Sequence, residues 1–137
     1  MVSLPDGRAV GQIAVAGNDV YVMGLSKTLA NYSNIGFIYW KNGVVYPIGN
    51  DAIPVTMKLV GNDLYIAGYT ASNSQAVYWK NGIKTVLPGA ETALDIAVVN
   101  SGIYAVGFTS SNHAVYWKNG AIDTLAKGVA LSVFVTN

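Results

Sequence analysis

The chain has 137 residues, of which 52% are hydrophobic and 11% charged, against roughly 25% charged in ordinary soluble domains, so much of it must be buried on more than one face. Eight basic and seven acidic residues leave a formal net charge of +1, which offers no electrostatic footprint to nucleic acid or an anionic membrane. With no cysteine, a disulfide framework and a thiolate metal site are both excluded.

In chain order, Met1-Val2-Ser3-Leu4-Pro5-Asp6 lacks the basic start and apolar run of a secretory signal. The first landmark is Gly17-Asn18-Asp19-Val20-Tyr21, the second Tyr39-Trp40-Lys41-Asn42-Gly43. Both recur. Gly61-Asn62-Asp63-Leu64-Tyr65 precedes Tyr78-Trp79-Lys80-Asn81-Gly82, and Asn100-Ser101-Gly102-Ile103-Tyr104 precedes Tyr116-Trp117-Lys118-Asn119-Gly120. The array covers 1–137, with repeats at about 11–49, 53–88 and 94–126 and partial repeats at 1–10 and 127–137. The longest apolar stretch, Ile96 to Phe108, is broken by Asn100 and Ser101 and falls short of the roughly 18 residues a membrane-spanning helix needs.

Each repeat divides into four short apolar runs bounded by turn residues, here named strands A to D. In the second copy they are about Val55–Val60, Leu64–Tyr69, Ala76–Lys80 and Ile83–Leu87. Asn-Asp between A and B, and Asn-Gly between C and D, predict two-residue hairpins of type I′, because both residues tolerate a positive φ. The B–C and D–A connections are longer and polar. One face of strand A is apolar in every copy (Ile13 and Val15, Met57 and Leu59, Ile96 and Val98, Val133 and Val135), which predicts that it is covered. Strands B and C are apolar on both faces, as sheets stacked face to face require. The fold predicted is all-β, with β-propeller blades formed by three four-stranded antiparallel repeats and a surplus A strand at 131–137; the alternative is a β-trefoil.

The run Val98-Val99-Asn100-Ser101-Gly102-Ile103-Tyr104-Ala105-Val106-Gly107-Phe108, followed by His113-Ala114-Val115-Tyr116-Trp117-Lys118-Asn119-Gly120 and Leu125, resembles the bacterial extracellular repeat of the HAF type. The resemblance lies in spacing and aromatic anchors. Only the third copy has the histidine, and Val115 stands where that repeat has phenylalanine. It implies a propeller-like fold and an extracellular or cell-surface location, with no assigned chemistry.

Tyr-Trp-Lys-Asn-Gly reads either as a sugar-stacking platform or as blade packing plus a hairpin, and turn chemistry already accounts for three of its five residues. Ser-Asn pairs recur in the B–C loops, at Ser33-Asn34, Ser72-Asn73 and Ser111-Asn112. Short side chains that donate and accept suit a hydroxyl-rich ligand, so these six, with Thr70, Thr109 and Asn31, are the candidate ligand residues. Turn formation is their simpler explanation. Gln12, Thr56, Asp95 and Ser132 stand at equivalent places in the A strands, either as a channel rim or as solvated strand ends. His113 is the only histidine, which rules out a two-histidine metal pattern, and no Ser–His–Asp set stands at a readable spacing, so no catalytic residue, metal or cofactor is expected.

The function read from these features is a non-enzymatic binding or adhesion module, lectin-like, with a glycan as ligand. The alternatives are a glycoside hydrolase with channel-rim carboxylates drawn from the loop-side acids Asp6, Asp51, Glu91 and Asp95, or a purely structural fragment of a longer array. Three blades leave apolar faces open, so self-association is expected, most simply as a dimer completing a six-bladed ring.

Overall fold

The computed structural model describes residues 4–26, 36–49 and 51–136, which form twelve strands and no helix. The strands are β1 (Gly7–Ala16), β2 (Asp19–Ser26), β3 (Phe37–Lys41), β4 (Val44–Gly49), β5 (Ala52–Val60), β6 (Asp63–Thr70), β7 (Ala76–Lys80), β8 (Ile83–Val86), β9 (Thr92–Val99), β10 (Gly102–Phe108), β11 (His113–Lys118) and β12 (Ala121–Lys127). They make three separate four-stranded antiparallel sheets, β1-β2-β3-β4, β5-β6-β7-β8 and β9-β10-β11-β12, each in chain order. The chain divides into two compact units, Met1–Ala52 with the first sheet and Ile53–Asn137 with the other two.

The hairpins follow from local chemistry, with one correction. At every C–D turn Asn and Gly both take positive φ (Asn42 51° and Gly43 82°, Asn81 51° and Gly82 84°, Asn119 52° and Gly120 83°), the pattern of type I′. The A–B turn was expected at Asn-Asp. Instead it uses Gly17-Asn18 and Gly61-Asn62, with positive φ only at the glycine, the type II′ pattern. A glycine at the first turn position makes that geometry available, and it releases Asp19 and Asp63 to open strands β2 and β6. The third copy has no glycine there, and Asn100 (48°) with Ser101 (66°) reverts to type I′.

Within the second unit, one face of β5–β8 packs on one face of β9–β12. Tyr65, Ala67, Ala76 and Leu87 from the former meet Ala93, Ile96, Ala105, Val115 and Trp117 from the latter. Strand B of the second copy, β6, is buried on both faces, as expected, whereas the outer strands β8 and β12 are exposed throughout.

The prediction for strand A holds for Met57 and Ile96, which are buried, but Ile13 and Val15 on β1 are exposed. The polar first positions also differ from a solvated strand end, since Thr56 and Asp95 are buried. The surplus A strand is a further correction. Residues 131–136 carry no strand, and Leu131 and Phe134 are exposed. Without a second strand beside it, a segment has no ladder to join.

The Tyr-Trp-Lys-Asn-Gly motif is absorbed by the fold. Its tryptophans are buried in all three copies, and Trp40 and Trp117 donate their indole N–H to the carbonyls of Pro5 and Pro88 at 2.7 and 2.8 Å. Each asparagine side chain accepts from a strand-B amide, Val20, Leu64 or Ile103, at 2.8 to 2.9 Å. Lys41 and Lys80 pair with Asp19 and Asp63 at 2.8 Å and lie over Tyr21 and Tyr65. Hydrogen bonds from these lysines first, then from Asn42 and Asn81, hold both aspartates below the ordinary carboxylate range. Gly102 replaces the aspartate in the third copy, and Lys118 keeps only the ring contact among the pairs described, over Tyr104.

Candidate functional site

The B–C turns are built around a hydroxyl at the end of strand B. In the second copy the Thr70 amide donates to the Gln75 carbonyl at 3.0 Å, and the Thr70 hydroxyl accepts from the Gln75 amide at 3.0 Å while donating to the Asn73 side chain. Thr70 is buried by this closure. In the third copy the Thr109 amide donates to the His113 carbonyl, and its hydroxyl accepts from the His113 amide at 3.2 Å. Thr109 also meets Ser111 Oγ at 3.0 Å, which in turn meets His113 Nδ1 at 3.1 Å. Ser26 occupies the matching place in the first copy, where it is buried and bonded to Asp6. Ser26 was missed as a candidate, although its spacing from Tyr21 matches that of Thr70 from Tyr65.

The recurring Ser-Asn pairs do not occupy one structural position. Ser74 (φ 49°) and Asn112 (φ 58°) are the left-handed residues of their turns, so Asn112 matches Ser74, not Asn73. The cause is one extra residue in the second turn, which runs from Thr70 to Gln75 where the third runs from Thr109 to His113. Asn112 uses its backbone, donating to Thr109 and accepting from Gly128 at 2.9 and 2.8 Å. Ser72 and Ser111 are exposed on their turns. Asn31, Ser33 and Asn34 lie outside the described residues.

The two turns do meet at one feature. A groove of about 320 Å³ runs between them, lined by Asn73, Ser74 and Gln75, by Thr109 and Ser110, and by Gly89, Ala90 and Glu91 of the connection from β8 to β9. Asn73 and Thr109 were among the ligand candidates read from the sequence and Glu91 among the candidate acids of the hydrolase alternative; Ser74, Gln75 and Ser110 were not. Their signal was available as polar residues in the same loops, but only the stacking of the two sheets brings 89–91 between them. Ala76 N–H donates to the Ala90 carbonyl and Glu91 N–H to the Phe108 carbonyl, at 3.1 and 3.2 Å, which fixes this wall to both turns. Amides and hydroxyls that both donate and accept, with one carboxylate, can bind a polar uncharged ligand by hydrogen bonds.

Of the four rim residues, the structure joins two. Asp95 Oδ2 accepts from Ser132 Oγ at 2.7 Å and from the Val133 amide at 3.1 Å, while Asp95 Oδ1 accepts from the Ile96 amide at 2.9 Å and lies 3.4 Å from Lys58 Nζ. Gln12 is half-buried on β1, and Thr56 is buried on β5. Burial pushes the Asp95 carboxyl up, but the hydrogen bonds from Ser132, Val133 and Ile96, with the Lys58 charge, more than offset it and hold the group below the ordinary carboxylate range. Because the folded value is depressed, the stability Asp95 contributes is present above the ordinary carboxylate range and is lost as pH falls through the lowered value. Asp95→Ala is therefore expected to loosen 131–136 by about 2 kcal/mol at neutral pH. Hydrogen exchange at the Val133 amide should accelerate roughly 30-fold, and the difference from wild type should vanish in strong acid. Unchanged protection at Val133 would deny Asp95 this role.

Among the described residues, no cluster of three or more histidine or acidic side chains is placed to hold a metal ion. No family model, no curated protein and no solved structure matches this chain.

Proposed function

We propose that the chain is a non-enzymatic binding module of propeller type, and that the groove between the second and third B–C turns takes a hydroxyl-rich ligand of the glycan class. The observation that carries this reading is the groove's wall of amide and hydroxyl side chains, placed where two loops from neighbouring sheets converge. The propeller reading is supported by each repeat forming its own four-stranded sheet and by the face-to-face packing of the second and third sheets. An extracellular or cell-surface setting follows from the likeness to the HAF-type repeat and suits a glycan ligand.

A glycan array followed by amide shift mapping tests the proposal. Hits should move the resonances of Asn73, Gln75, Thr109 and Ser110, and Gln75→Ala or Ser110→Ala should weaken binding about tenfold, the worth of one hydrogen bond of about 1.4 kcal/mol. An array without signal, or shifts confined to other loops, would overturn it.

A further inference from the structure

The interface between the second and third sheets buries one side of each, and the equivalents of both sides are exposed elsewhere among the described residues. On the third sheet the register aligns Val98 with Ile103, Ile96 with Ala105, and Ala105 with Trp117, and this row faces the second sheet. The first sheet has the equivalent row, with Val15 opposite Val20, Ile13 opposite Val22, and Val22 opposite Trp40. Ile96 is 0% exposed and Ile13, its equivalent, 64%. On the other side of the interface Leu87 is 1% exposed, and its equivalent on the third sheet, Leu125, is 57%. Beside the open row of the first sheet lies a cleft of about 460 Å³, lined mainly by Leu4, Val20, Val22 and Trp40.

We infer that a second copy of this chain covers these surfaces head to tail, the Leu125 side of its third sheet docking on the Ile13 row of the first. The occupant is identified by the chain itself, since the covered interface pairs the same positions: Leu87 with Ile96 inside, Leu125 with Ile13 between copies. Two copies can satisfy both open sides at once if the contacts close about a twofold axis. This inference rests on the packing of the sheets and is independent of any ligand in the rim groove.

Docking brings two equivalent segments to one place, residues 131–136 of one copy and β1 of the other. The ladder decides between them. β1 is paired with β2 from Gly7 to Ala16, whereas 131–136 is in no sheet and is tied at Asp95 through Ser132 and Val133. The incoming β1 displaces 131–136, and Gln12, which aligns with Ser132, brings an amide donor to Asp95.

Light scattering over a range of concentrations tests the docking. The expected mass is twice the 14.4 kDa of the chain. Ile13→Lys and Leu125→Lys each change a side chain that is exposed in the single chain, so both should fold, and each should weaken association at least about 30-fold, as loss of a central contact does. Mixed together they should associate, because the unaltered first sheet of one meets the unaltered third sheet of the other. Ile83→Lys, on exposed β8, should leave association unchanged. Exchange at Val133 should accelerate on dimer formation. A single-chain mass at every concentration, or association that survives Leu125→Lys, would overturn head-to-tail docking. A Val133 amide as protected in the dimer as in the monomer would overturn the displacement of 131–136.

Discussion

Replacing Gly107 by alanine is expected to cost about 3 kcal/mol or more and to lower the thermal midpoint by roughly 10 °C. A Cβ at this position would stand 1.8 Å from the Thr92 carbonyl oxygen and 2.9 Å from the carbon behind it. The approach is produced by a bulge in strand A. Val106 is opposite Asp95 but Gly107 is opposite Ala93, so Leu94 is the extra residue and the chain before it is pushed onto β10. The obstacle is backbone on both sides, so no rotamer change relieves it. Gly24 and Gly68 stand in the same relation to the Ala9 and Ile53 carbonyls, both at 2.1 Å, which explains a glycine at this place in all three B strands. Gly11→Ala is the control, because its Cβ would meet nothing closer than 3.8 Å. Thermal melts followed by circular dichroism should show that variant within about 0.5 kcal/mol of wild type. If Gly107→Ala melted with wild type, the bulge would not be rigid.

Trp117→Ala should cost about 3–5 kcal/mol, the range for emptying a buried aromatic site. Trp117 is fully buried between the second and third sheets, among Tyr65, Ala67 and Leu87 on one side and Ile96 and Ala105 on the other. Trp117→Phe separates packing from hydrogen bonding. It keeps most of the apolar contact but leaves the Pro88 carbonyl without its indole donor, at a cost of about 1–3 kcal/mol. Urea unfolding measures both, and the two variants should differ by a clear margin. A Trp117→Phe chain as stable as wild type would mean that water replaces the indole at no cost.

Much of the fold was legible because it is local. The period of the repeat, the four strands per copy and the Asn-Gly turns depend on residues within a few positions of one another, and the strands of the second copy fall within a few residues of their expected bounds. What was misread depends on details that spacing does not carry. Gly17 and Gly61 moved the A–B turn by one residue and changed its type. One extra residue between Thr70 and Gln75 broke the equivalence of the Ser-Asn pairs, although each pair looked alike in the sequence. Thr70 was read as a ligand candidate for its hydroxyl, and that hydroxyl closes the turn.

The sequence by itself determined which side chains share a face, since alternation along a strand places Ile13, Met57, Ile96 and Val133 alike. Only the tertiary structure decided what becomes of each. Met57 and Ile96 are buried, Ile13 is exposed, and Val133 lies in a segment without a ladder. Likewise Glu91 reaches the rim groove only because two sheets stack, and Asp95 is buried because Ser132 and Val133, far along the chain, are brought to it. Pattern records the chemistry a residue offers, while burial depends on which distant surface arrives beside it; equivalent positions of the repeats offer like chemistry and do not meet the same neighbours.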